Sequence, residues 1–145
     1  MKVGIVGSEA TKFTQKGEAS ARELIDWILG YPDVDEVVSG HCHLGGIDIW
    51  AEEIADKYSI KKVIFPPRSL SWDAGYKPRN LQIAHNSDIV HCITVKQLPK
   101  DYQGMRFLYC YHCKVEGHIK SGGCWTMKKA IEMGKQGKLH VIENY

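Results

Sequence analysis

The stretch Lys2-Val3-Gly4-Ile5-Val6-Gly7-Ser8 (KVGIVGS) decides the fold. An apolar run that ends in glycine and serine reads as a buried parallel strand feeding a tight turn. A strand covered on both faces has no need of polar alternation. Similar units recur downstream. Glu36–Val38 is a short strand running into Ser39-Gly40-His41-Cys42-His43-Leu44-Gly45-Gly46, and Lys61–Phe65 is a third strand closed by Pro66-Pro67. Asp88–Ile93 is the fourth, Met105–Tyr109 reads as one more, and Leu139–Ile142 is the last.

Helical periodicity fills the intervals. Ala21, Leu24, Ile25 and Ile28 share one face of a helix over Glu18–Leu29 that Gly30 and Pro32 stop. Ile47, Trp50, Ala51, Ile54 and Ala55 give the inner face of a helix over Asp48–Tyr58. A loop over Arg68–Gly75 precedes Pro78-Arg79-Asn80, which opens a helix to about Asn86, and Thr126–Gly134 is the last helix. Strands alternating with helices over short links specify an α/β, Rossmann-like three-layer fold with a mostly parallel sheet and helices on both faces. The chain, residues 1–145, is long enough for one domain and not two. The regular alternation breaks over about 94–124, which reads as an insertion. Ligands in such sheets sit beyond the carboxyl ends of the strands, where the glycine-rich turns fall.

Composition narrows the function classes. The formal net charge of +2 gives no bulk attraction to duplex DNA. No run of about eighteen apolar residues is present, so no membrane span is expected. The opening MKVGIVGSEA lacks a secretion signal's charged and apolar regions, so a cytoplasmic location is expected. In a reducing compartment the five cysteines are metal ligands or buried thiols rather than disulfides.

Two chemistries overlap in Cys110–Thr126 (CYHCKVEGHIKSGGCWT). Cys110-x2-Cys113-x4-His118-x5-Cys124 has nearly the spacing of a zinc knuckle, and four protein ligands leave no open position, so a structural zinc is expected. His112 is the alternative imidazole. Ser121-Gly122-Gly123 before a helix carrying Thr126 offers backbone N–H groups to an anion. His41-Cys42-His43 reads as a pocket rim rather than a second metal site. Asp48 opens a helix, where its carboxylate either caps the first N–H groups or accepts from a sugar hydroxyl. Asp48 and Glu52, one turn further on, are the candidate catalytic carboxylates for a glycosidic bond. Arg79 suits a phosphate or a surface ion pair. Trp72 stacks on a base or packs under its loop.

The ordered set of loops resembles the Rossmann-like SLOG superfamily, which holds the DNA-processing protein DprA and the LOG cytokinin-activating phosphoribohydrolases. The motifs are Gly7-Ser8, Ser39-Gly40 with Gly45-Gly46-Ile47-Asp48, Arg79-Asn80 with Ser87-Asp88, and Ser121-Gly122-Gly123 with Thr126. The resemblance implies a nucleotide or nucleotide-derived ligand held across these loops, its phosphate on the last helix N-terminus. The implied ligand contacts are Gly7, Ser8, Ser39, Gly40, Gly45, Gly46, Asp48, Arg79, Asn80, Ser121, Gly122, Gly123 and Thr126. Two departures matter. Glu9 stands where the family often has arginine, which removes a cation from the phosphate side. Lys129 stands where the LOG hydrolases carry a glutamate. Three functions follow: a nucleotide-binding sensor or processing enzyme, an N-glycosidase or phosphoribohydrolase acting on nucleoside monophosphates, and a single-stranded nucleic-acid module. In the third, Tyr109, Tyr111 and Trp125 stack on bases, with Lys114, Lys120, Lys128 and Lys129 nearby. Similar small domains often form homodimers.

Overall fold

β1 (Lys2–Gly7) is buried at every residue from Val3 to Val6, as a strand covered on both faces must be. The computed structural model describes residues 1–106 and 109–145. These form a five-stranded, all-parallel sheet of β1, β2 (Glu36–Ser39), β3 (Lys61–Ile64), β4 (Ile89–Val95) and β5 (Gln136–Ile142), in the order β3-β2-β1-β4-β5. Val3 of β1 pairs with Val37 on one side and with Ile89 on the other. The expected α/β three-layer architecture is therefore present.

α1 (Gln15–Leu29) and α2 (Ile47–Lys57) pack on one face, and α3 (Lys77–His85) and α4 (Gly122–Glu132) on the other. Each face has its own core. Ile5, Ile25, Ile47, Trp50 and Ile93 lie in the first, and Val6, Val38, Ile83, Cys92 and Met127 in the second. The chain builds outward from β1 to β3 and then crosses back to β4, so the strand order reverses between β1 and β4. That reversal opens a crevice at the carboxyl ends of these two strands.

The helices begin earlier than apolar periodicity suggests, because capping residues lie upstream of the first buried side chain. The Thr14 hydroxyl accepts from the Gly17 N–H at 3.1 Å, which starts α1 at Gln15. Ser121 accepts from the Gly123 N–H at 3.0 Å and starts α4 at Gly122 rather than Thr126. A π-helical turn over Trp72–Tyr76 replaces part of the expected loop, with Ser71 accepting from Ala74 N–H at 3.2 Å. The expected strand over Met105–Tyr109 falls partly on 107–108, outside the described residues; Met105, Arg106 and Tyr109 are not in a strand.

The tail is tied back to the start of α1. Asn144, fully buried, accepts from the Thr14 N–H at 3.0 Å and donates to the carbonyls of Lys12 (3.0 Å) and Gln97 (2.7 Å). No helix among the described residues is long and apolar enough to cross a membrane.

Candidate functional site

A cavity of about 590 Å³ opens at the β1/β4 crevice. Its walls come from the loop after β1 (Gly7, Ser8, Glu9, Lys12), the start of α2 (Asp48) and α3 (Arg79, Asn80). The start of α4 (Ser121, Gly122, Gly123, Trp125, Thr126) closes it. Nine of the residues expected at the ligand thus meet at one place. Ser39, Gly40, Gly45, Gly46 and Glu52 do not line it. Ser39 is buried behind the loop, where its hydroxyl accepts from the His41 N–H at 3.3 Å. Gly46 packs its backbone against Ser8 to Ala10. The Glu52 carboxylate is engaged 2.9 Å from His41 Nδ1.

Asp48 is a wall residue rather than a helix cap. Gly46 occupies the cap position of α2, and the Asp48 Oδ2 accepts instead from the Cys42 N–H at 3.2 Å. Only 7% exposed, its carboxyl is pushed up to about 6, chiefly by burial, with the Arg79 charge pulling the other way. Arg79 is equally buried and no surface ion pair. Its Nε donates to Asn80 Oδ1 at 2.7 Å and its Nη1 to the Gly40 carbonyl at 2.5 Å, which pins the loop after β2 to α3. Neither bond uses Nη2, which has no hydrogen-bond acceptor among the described residues.

Local spacing did not reveal Lys12. Its Nζ reaches the wall that Glu9 was expected to leave without a cation, and among the described residues it donates only to the Lys120 carbonyl, at 3.5 Å. Burial pushes its pKa down, and it forms no salt bridge among the described residues. A basic residue in the 3₁₀ turn Ala10–Lys12 (three residues past the loop) is the signal that could have found it. Lys12, Lys120 and Arg79 line the cavity together with Glu9 and Asp48, so cations outnumber carboxylates among its described lining residues. The aromatic side is Trp72 edge-on to Trp125, with ring centroids 5.0 Å apart, together with Tyr76 and Tyr111.

Beside the cavity, Cys110, Cys113, His118 and Cys124 bring one ligand atom each within 4.8 Å of one another, a set that can hold a metal ion. Lys114 takes a left-handed conformation (φ 60°), and the Cys110 N–H donates to the Val115 carbonyl at 2.9 Å, which folds the chain back on itself. Cys110, His118 and Cys124 are buried. The Cys124 thiol is held down at about 5, first by a hydrogen bond from Cys92, with Ser121 and His118 adding to it. Cys92 itself, from β4, donates to the Cys124 sulfur across 3.8 Å and is pushed well up by that bond and by burial. Sequence spacing left Cys92 a bystander because strand pairing, not the local turn, brings it there. His112, the alternative imidazole, instead lines the cavity with Tyr111.

No family model, curated protein or solved structure matches the chain.

Proposed function

We propose that the chain binds a nucleotide or nucleotide-derived phosphate ester in the β1/β4 cavity and carries a structural zinc at the Cys110/Cys113/His118/Cys124 cluster. One observation carries the ligand reading. Three cations, the N-terminal turn of α4 and the rings of Trp72, Tyr76, Tyr111 and Trp125 line one cavity of about 590 Å³, a size suited to a small ligand. The phosphate lies against the N-terminus of α4, where the Gly122 N–H lacks an intrahelical acceptor, with Lys12 and Lys120 as counter-charges. The base packs against Trp72, Trp125 and Tyr111. Asp48 accepts from a sugar hydroxyl.

The donor set supports zinc among metals. Three thiolates and an imidazole suit a tetrahedral soft ion, and a Zn–S bond of about 2.3 Å spaces neighbouring ligand atoms about 3.8 Å apart. Cys124 Sγ and His118 Nε2 already stand 3.7 Å apart.

The test is titration of purified chain with adenosine 5′-monophosphate, adenosine and inorganic phosphate, followed by native mass spectrometry and calorimetry. The monophosphate is expected to bind at least tenfold more tightly than adenosine, with one zinc per chain. Equal affinity for adenosine would remove the phosphate site, and no binding by any nucleoside phosphate at millimolar concentration would remove the reading.

Asp48 supports a second reading, hydrolysis of the N-glycosidic bond of a nucleoside monophosphate. A buried carboxyl titrating near 6 carries a transferable proton close to neutral pH. Water would add at C1′ as the C1′–N bond breaks, with the Asp48 proton going to the leaving base and the proton released by the water returning to the Asp48 carboxylate. Free base in the reaction mixture, lost in Asp48→Asn, is the expected product; its absence leaves binding without turnover.

A further inference from the structure

Resting on the nucleotide reading, we propose that occupancy of the Cys110/Cys113/His118/Cys124 site by metal controls the affinity of the cavity for its phosphate ester, so that the chain binds ligand only when metal-loaded. The two sites share structure rather than merely lying close. Tyr111 and His112, the two residues between the first pair of metal ligands, line the cavity. Lys120, two residues after His118, lines it too, and its Nζ lies 3.1 Å from the Tyr111 hydroxyl and 5.0 Å from that ring's centroid. Cys124 is in the first turn of α4, between Gly123 and Trp125 on the cavity wall.

A metal held by these four residues fixes three parts of the wall at once: the Tyr111–His112 turn, Lys120 and the N-terminal turn of α4. Without it, the turn is held chiefly by the Cys110–Val115 pairing. The Ile119 end stays anchored to β4 through its N–H to the Val95 carbonyl at 2.8 Å and its own carbonyl to the Thr94 hydroxyl at 2.6 Å. Metal loss therefore loosens the cavity side of the knuckle while the sheet persists. A free energy shared between two sites acts in both directions, so bound ligand must also retain the metal.

The experiment compares zinc-loaded chain with chain stripped by a chelator, using adenosine 5′-monophosphate as ligand and the emission of the Trp72–Trp125 pair as a ligand-free reporter. Expected are at least tenfold weaker binding after stripping, a changed tryptophan emission with the far-ultraviolet circular dichroism kept, and slower zinc extraction when the monophosphate is present. Equal affinity in both forms, or an extraction rate indifferent to bound ligand, overturns the proposal. If neither form binds the monophosphate, the nucleotide reading has failed, and emission decides the coupling alone: a change on stripping supports it and none overturns it. If stripping unfolds the chain, Cys113→Ser, which removes the one half-buried ligand and leaves the cavity lining intact, replaces the comparison at graded zinc concentrations. Monophosphate affinity that rises with the zinc bound then supports the proposal, and an affinity indifferent to bound zinc overturns it.

Discussion

Asp48→Asn is expected to make the protein more stable at neutral pH while impairing its site. The folded chain holds the Asp48 carboxyl at about 6, against an ordinary value of 3.8. Between these values the folded state keeps a proton that the unfolded state has released, so stability falls as pH rises from about 4 to about 6 and stays lower above. At about 1.4 kcal/mol per pKa unit, the ionised carboxylate costs the fold about 3 kcal/mol at pH 7. That net value already includes the opposing pulls of the Arg79 charge and the Cys42 N–H, so burial outweighs them. Asparagine carries no charge to bury and keeps an oxygen for the Cys42 N–H, so the variant gains up to about 3 kcal/mol at pH 7, or several degrees in Tm. His91 titrates in the opposite sense. Burial, then the His140 charge, holds it at about 4, so its contribution is present above about 6.5 and is lost as pH falls. The wild-type profile mixes the two, and only the difference between wild type and variant isolates Asp48. Urea unfolding of both at half-unit steps from pH 3.5 to 8 measures it. A gain that vanishes near pH 3.5 and plateaus above pH 6.5 is expected. A loss at pH 7 means that Arg79 stabilises an ionised Asp48, and a gain of the same size at every pH means that the gain does not come from burying its charge; either refutes the dominance of burial.

Three further substitutions test the loop before α2, the tail and the cavity separately. Gly46→Ala forces φ 91° on a residue with a Cβ, which would stand 2.4 Å from the Ser8 carbonyl oxygen and 2.6 Å from the Ala10 nitrogen. A loss of about 3 kcal/mol or more in urea unfolding is expected, and a midpoint within error of wild type refutes the contact. Asn144→Ala strips a buried hub of its bonds to Thr14, Lys12 and Gln97, for a loss of about 2–4 kcal/mol and faster amide exchange at the start of α1. Unchanged exchange there would free the tail of that role. Lys12→Met removes a desolvated cation that forms no salt bridge among the described residues and is offset only in part by the Glu9 charge, so Tm holds or rises while adenosine 5′-monophosphate binds about 10- to 100-fold more weakly by calorimetry. Undiminished binding excludes Lys12 from the phosphate contact.

The sheet was legible because burial on both faces leaves a plain signature: KVGIVG, EVV and DIVHCI are continuous apolar runs with little alternation. The metal cluster was legible for a different reason, since its four ligands lie within fifteen residues and need only a local turn. What spacing could not give was anything assembled across the sheet. Cys92 meets Cys124 because β4 runs beneath the first turn of α4. Lys12 reaches the cavity because a 3₁₀ turn lifts it back over the loop after β1. Arg79 read equally as a phosphate contact or a surface ion pair, and it is pinned beneath the loop after β2 by the Gly40 carbonyl. Helix starts were read late for one physical reason. A cap such as Thr14 or Ser121 is chosen by the backbone N–H it satisfies, not by the apolar face that follows.

Position in β4 also explains why metal and ligand would be joined in this chain. Side chains alternate along a strand, so Cys92 and Thr94 point to the same face as α4. Cys92 packs against Cys124, one of the four residues that can hold a metal ion. Thr94 receives the Ser8 hydroxyl at 3.0 Å and passes its own proton to the Ile119 carbonyl at 2.6 Å. One strand residue therefore bridges the first glycine loop and the segment that carries His118. A cavity at this crevice needs only the two loops flanking the strand-order reversal, and here the second loop is lengthened into a metal turn whose base rests on the strand it leaves. Any change in that turn acts on a wall whose opposite side, through Thr94 and Ser8, is held by the sheet itself. The fixed side gives the cavity its place in the fold, and on the coupling proposed above the metal turn would give it a side that can be present or withdrawn.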